Sequence, residues 1–298
     1  MAIFHDLLVK MVEMMPQKIV WIFSRKYIAG ESLESAVKLV KELNSKGIMA
    51  TVDVLGEAIS TKEEAVKAKE SAMLVLETIN KEKLDANLSI KPTQLGLSKS
   101  YKTCLENFEK LIDSASKSHV FVWIDMESSD HTDDTLELYF DLFSRYERMG
   151  VAIQANLKRS LNDAKDLIQY GAKIRLVKGA YREEKQIAYK TRKDVDTNFE
   201  NIIRLLFETG NEFGIATHDL RLIKMAISLS KKNKVKFEFQ LLKGVRDEIK
   251  QTLVKKGFVV SDYIPYGTKW LPYSIRRLKE RKRNILLLGS SLIQSQRV

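Results

Sequence analysis

Eight short apolar runs, each followed by a longer stretch with helical spacing, constrain this chain more than any other feature. Rich in Val, Ile, Phe and Ala, they lie at residues 48–54, 86–90, 120–124, 151–155, 173–177, 214–217, 236–241 and 259–265. Amphipathic segments between them include 61–82, 101–115, 132–149, 197–208, 219–230 and 247–256. Strands that alternate with crossover helices pair in parallel, so the pattern predicts an α/β fold with a parallel sheet. Eight units within about 230 residues suit a closed, distorted (β/α)8 TIM-type barrel. An open doubly wound sheet more often carries a glycine-rich phosphate turn after its first strand, and no G-x-G-x-x-G is present.

Local punctuation agrees with these elements. Ser60 and Thr61 precede acidic Glu63 and Glu64, and Thr132 precedes Asp133 and Asp134, as at helix N-termini. Gly150, Gly210 and Gly257 stand where helices should end. Residues 1–46 read as a helical lead, with a helix over 32–44, that packs on a single barrel domain of residues 47–298. No Pro-, Gly- or Ser-rich linker marks a second domain.

Charge and cysteine usage narrow the setting. The one cysteine, Cys104, has no internal disulfide partner, which favours a reducing, cytoplasmic compartment. No apolar run reaches the roughly 18–20 residues of a membrane span, and Asp6 and Glu13 fall where a signal peptide is uncharged. The net charge of +11 attracts polyanions. No RNA-binding aromatic signature, zinc-finger spacing or basic zipper accompanies it, so a nucleic-acid partner is not expected. Peripheral docking on an anionic membrane is at least as compatible with the charge, with residues 285–298 as one candidate docking segment.

A barrel of this kind builds its active site at the C-terminal ends of the strands. Those ends carry Asp53, Lys91, Asp125, Gln154 with Asn156, Arg175 with Lys178, Thr217 with His218, Gln240 and Tyr263. In Arg175-Leu176-Val177-Lys178-Gly179-Ala180-Tyr181 two cations flank an apolar pair, and Gly179-Ala180 lets backbone approach closely, so an anionic or electron-rich ligand is expected there. Thr217 and His218 offer a hydroxyl and an imidazole to a cofactor's ring or phosphates. Four histidines without H-x-x-x-H spacing or Cys/His pairing argue against a metal site. In the last unit Tyr273, Arg277 and Glu280 share a helix face by their spacing, Arg276 lies beside them, and Pro272 suits the first turn. Paired guanidinium groups at a barrel mouth form a carboxylate clamp, on which Lys91, Asp125 and Tyr263 should converge.

Assembled in order, these motifs resemble the proline dehydrogenase family, including the proline-oxidising domain of the bifunctional proline-utilisation flavoenzymes. The resemblance covers residues 48–281. It is carried by Ser89-Ile90-Lys91-Pro92, Ile124-Asp125-Met126-Glu127, Gln154-Ala155-Asn156, the Arg175–Tyr181 stretch, Ala216-Thr217-His218, Glu238-Phe239-Gln240, Tyr263-Ile264-Pro265-Tyr266-Gly267, and the run from Tyr273 to Glu280. It implies a barrel holding non-covalent FAD over its C-terminal face and oxidising L-proline to Δ1-pyrroline-5-carboxylate by hydride transfer, with quinone as reoxidant. By resemblance Lys91, Arg276 and Arg277 hold the proline carboxylate, Tyr263 and Tyr273 wall the pyrrolidine ring, and Asp125 and Glu280 organise the cations. Met126, Gln154, Val177, Lys178, Gly179, Ala180, Thr217 and His218 contact FAD, with Arg175 beside the reactive flavin nitrogen.

Two departures qualify the match. Arg182 stands where the bifunctional enzymes often carry tryptophan, and the length leaves no room for a pyrroline-5-carboxylate dehydrogenase domain, so a separate enzyme is expected to take the product. A phenol at Tyr263 would crowd a ring hydroxyl, which favours proline over hydroxyproline. Alternatives are a hydroxyproline dehydrogenase, a flavin-bearing barrel of the folate reductase type, and a basic, non-enzymatic binding protein.

Overall fold

A computed structural model describes residues 17–56, 59–209 and 211–280. Among these, β1 Met49–Val54, β2 Ala86–Ile90, β3 Val122–Ile124, β4 Met149–Gln154, β5 Lys173–Val177, β6 Phe213–Ala216, β7 Phe237–Leu242 and β8 Val259–Tyr266 run parallel, each hydrogen-bonded to the next. β8 closes on β1, with Thr51 opposite Tyr263, so the sheet is a closed (β/α)8 barrel. The barrel helices are α3 Lys62–Lys81, α4 Tyr101–Lys117, α5 Thr132–Phe143, α6 Ser160–Gln169, α7 Arg192–Thr209, α8 Leu220–Ser230, α9 Asp247–Lys255 and α10 Trp270–Glu280. Preceding them are α1 Gln17–Ser24 and α2 Leu33–Asn44.

The strands are apolar because both of their faces are covered, one by the barrel interior and one by the helices. β2 and β4 are buried along their whole lengths. Helix starts follow capping chemistry: Thr61 accepts from the Glu64 N–H at 3.2 Å, and the Glu64 carboxylate accepts from Ser60 N–H at 2.6 Å. α2 packs against β1 and β8, while α1 packs against α10. The Trp21 and Trp270 rings lie 4.8 Å apart, and Trp270 Nε1 donates to Glu31 at 2.8 Å.

Three local expectations differ from the structure. α5 stops at Phe143, so Gly150 is not a helix terminator but the second residue of β4. Its role is spatial, since a Cβ there would lie 2.4 Å from Trp123 Cζ3. Thr132 lies within α5, whose cap residue is His131. α6 was not singled out because its ten residues present a narrow apolar stripe, with Ala164 and Leu167 buried. Gly257 does terminate a helix, at φ +82°, whereas Gly210 lies outside the described residues.

Candidate active site

Because all strands point the same way, residues at their C-terminal ends are delivered to one rim. Asp53, Lys91, Asp125, Gln154, Asn156, Arg175, Lys178, Thr217, His218, Gln240 and Tyr263 all line one cavity of about 1070 Å³ at that rim. Convergence of polar groups in the main concavity of a barrel is the usual geometry of a ligand site.

Asp125 is the hub. Its Oδ1 accepts from Arg175 Nη1 at 2.7 Å and Ser89 Oγ at 2.7 Å, and its Oδ2 accepts from the Tyr263 hydroxyl at 2.8 Å and lies 3.4 Å from Lys91 Nζ. Lys91 is also gripped by Asp53, both of whose oxygens lie 3.1 Å from Nζ. Burial by itself would raise the Asp125 pKa, but Lys91 and Arg175 hold it below the ordinary carboxylate value. Burial likewise opposes charge on Lys91, and Asp53 with Asp125 overrides it, keeping the ammonium protonated well beyond the usual range. Burial first, and then the Asp125 charge, push the Tyr263 phenol upward, so it remains a hydrogen-bond donor. Two carboxylates thus offset Lys91 and Arg175 before any ligand binds.

Arg175 is 3% exposed, yet among the described residues only its Nη1 has hydrogen-bond partners. Nε and Nη2 are buried without a hydrogen-bond partner, and so is Asn156 Oδ1. Unpaired buried donors and acceptors are costly unless a ligand completes them. Gly179 adopts φ +102°, a conformation suited to glycine, and a Cβ there would fall 2.0 Å from Asn156 Oδ1. Glycine at this position therefore lets the Asn156 carboxamide pack directly against the backbone at this end of the cavity.

Elsewhere along the wall, Lys178 Nζ is shared by Asp196 at 2.5 Å and Asp219 at 3.0 Å. Burial would raise the Asp219 pKa, but bonds from Arg192 and Lys178 hold it well below the usual range. Gln154 Nε2 donates to the Glu127 carbonyl at 2.7 Å, and Met126, Val177 and Ala180 complete this part of the lining. Thr217 Oγ1 accepts from the Asp219 N–H at 3.2 Å. His218 Nε2 accepts from the Leu242 N–H at 2.9 Å, which commits that nitrogen to the protein rather than to a ligand. Both residues nevertheless line the cavity.

α10 brings Tyr273 and Arg277 to the same cavity, with the Arg277 guanidinium 5.3 Å from the Tyr273 ring centroid. The side chains of Arg276 and Glu280, expected beside them, lie outside what the structure describes, as do residues 285–298. Asp53, Ser89 and Gln240 were not assigned roles from sequence. A buried lysine requires a carboxylate, and Asp53 at the end of the adjacent strand was the available signal. Arg246, which lines the cavity in the left-handed conformation (φ +53°), gave no sequence signal. Among the described residues no group of three or more His, Cys, Asp or Glu is placed to hold a metal ion.

Fold and cavity define a closed (β/α)8 barrel with a polar cavity at its C-terminal rim, organised around an Asp125–Lys91–Arg175 charge cluster. Comparison with known proteins makes the class specific. The sequence model of the family described as proline dehydrogenase matches residues 36–285, and the chain belongs to that family of oxidoreductases. It is 37% identical over 274 residues to proline dehydrogenase 1 of Bacillus subtilis subsp. natto, covering 91% of each chain. It is 32% identical over 291 residues to proline dehydrogenase of Deinococcus radiodurans, covering 95% of this chain and 94% of that one. Among solved structures, proline utilization A from Bdellovibrio bacteriovorus superposes with a TM-score of 0.80 at 26% identity. That match covers 86% of this chain and 32% of the larger protein, so the chain spans about a third of its length.

Proposed function

We propose that this barrel oxidises L-proline to Δ1-pyrroline-5-carboxylate with non-covalently bound FAD as hydride acceptor and passes the electrons on to quinone. The observation that carries this reading is that Arg175, whose Nε and Nη2 have no partner among the described residues, and Asn156, whose Oδ1 has none either, line one cavity with Gly179. A flavin ring edge, with several acceptors and one N–H donor, would fit that set. Arg175, Asn156, Gln154, Met126, Thr217, His218 and residues 177–180 would hold the cofactor, which supplies a two-electron acceptor next to the substrate.

The remaining groups position proline. Lys91, Arg277 and Arg276 take its carboxylate, a charge-assisted contact that fixes the ring's orientation. Tyr263 and Tyr273 wall the ring. Asp125 keeps Lys91, Arg175 and Tyr263 in register. Positive charge at Arg175 favours the reduced, anionic state of the acceptor. A hydroxyl on the proline ring would meet the Tyr263 phenol, so hydroxyproline is the poorer substrate. Among the described residues no helix is long and apolar enough to cross a membrane. We assign the protein to the cytoplasm, where the charge of +11 favours peripheral docking on an anionic membrane, the home of quinone.

The test is spectroscopic. Purified protein should carry yellow flavin that L-proline bleaches anaerobically and NADH does not. Bleaching by NADH alone would favour a folate reductase type. A well-folded protein that takes up no flavin would favour a binding protein.

A further inference from the structure

Trp123 on β3 is 4% exposed, and its register partner on β4 is Gly150. A Cβ on Gly150 would lie 2.4 Å from Cζ3 and 2.8 Å from Cε3 of the indole, and 2.8 Å from the Lys173 carbonyl oxygen of β5. The missing side chain on β4 therefore lets the indole lie across that strand and reach β5. There the Arg175 guanidinium carbon sits 4.6 Å from the indole centroid, and 5.8 Å from the Tyr263 ring of β8. One layer lower the arrangement repeats, with Lys173 Nζ of β5 5.0 Å from the ring of Phe121, which itself packs on Trp123 at 4.9 Å.

Hydrogen bonds hold the Arg175 guanidinium at a single nitrogen, since Asp125 and Ser89 both meet Nη1. A planar group anchored at one end can still turn about that end. Contact with a flat aromatic face removes this freedom, and a weakly hydrated guanidinium stacks well on indole. We propose that Trp123, seated over Gly150, is the positioning residue for Arg175, setting the guanidinium plane and so the direction of the Nε and Nη2 N–H bonds that no atom of the described residues receives. The proposal rests on the reading of this cavity as the FAD and proline site.

The experiment compares wild type, Trp123→Phe, Trp123→Leu and Gly150→Ala, each with matched circular dichroism. At saturating L-proline, Trp123→Leu and Gly150→Ala should slow flavin reduction about ten- to a hundredfold, the usual consequence of a misplaced site group. The KM for proline should move by less than about twofold, because the carboxylate contacts are untouched. Trp123→Phe, which keeps a ring, should recover most of the rate. A readout independent of turnover is the 15N-detected Nε–H signal of Arg175, assigned with Arg175→Lys. It should be ring-shifted and slow to exchange in wild type and Trp123→Phe, and lose both properties in the other two variants. Unchanged reduction rates, or an arginine signal indifferent to Trp123, would overturn the positioning role. If proline fails to reduce wild type while the arginine signal still follows Trp123, the functional reading falls and the stacking stands.

Discussion

Asp262 and Tyr263 are neighbours on β8, and each belongs to a buried cation–carboxylate cluster on its own side of the sheet. Tyr263 points inward to Asp125, Lys91 and Arg175. Asp262 meets Lys250 of α9 at 2.6 Å, on the outer face. The outer cluster is closed: the ammonium of Lys250, itself 1% exposed, has acceptors in Asp262, Asp247 at 2.6 Å and the Leu242 carbonyl at 3.1 Å. Three donors meet three acceptors, and nothing remains for a ligand. The inner cluster is open, with two Arg175 nitrogens unpartnered among the described residues beside a cavity. Burial and charge are common to both, and unfinished hydrogen bonding distinguishes the site from the brace.

Mutations on the two sides of β8 can break that distinction. The largest effect should come from Lys250→Met, which leaves a buried carboxylate without its partner and should cost about 3–5 kcal/mol of stability. Burial raises the Asp262 pKa to about 6, above its unfolded value near 4. The folded state therefore binds that proton more tightly, and this group adds stability as pH falls through about 6 and withdraws it as pH rises. Without Lys250 the pKa climbs further, so the deficit should be large in urea unfolding near pH 8 and shrink near pH 5 as Asp262 protonates. Proline turnover well below the melting temperature should stay unchanged, and a loss there would erase the contrast between the clusters.

Next in size is Arg175→Ala, expected to slow flavin reduction about 10²- to 10³-fold in stopped-flow assays, on the scale of removing a preorganised donor. Thermal stability should change far less than in Lys250→Met, and a wild-type reduction rate would remove Arg175 from the chemistry. Arg277→Met sharpens the substrate side. Loss of one charge-assisted contact, worth about 1.5–3 kcal/mol, should raise the KM for proline while flavin content stays constant. Smallest should be Tyr263→Phe, which deletes one bond to Asp125 worth about 1 kcal/mol. It should also narrow the preference for proline over hydroxyproline, and an undiminished preference would put the hydroxyl's clash elsewhere.

Much of this architecture is written in one dimension. A strand covered on both faces must be apolar along its length, so β2 and β5 could be bounded to the residue, and a polar side chain following such a run marks the rim. Gly150 shows where that logic fails: a glycine after a helical stretch reads as a stop, and only its place opposite Trp123 reveals a gap for an indole. His218 is a second case, since a histidine at a strand end looks ready for a ligand until the Leu242 N–H is found on its ring.

Periodicity and composition were enough for the eight strands, their order and the rim at which polar groups collect, because these follow from what each short segment must bury. They put Asp53 at the rim but could not show that it pairs with Lys91 inside the barrel while Asp262 pairs with Lys250 outside it. That assignment depends on which way each pleat faces once β8 closes on β1, and closure joins residues more than two hundred positions apart, such as Thr51 and Ser261 at 2.9 Å. Local sequence has no means of expressing such a contact, and the tertiary structure alone selects it.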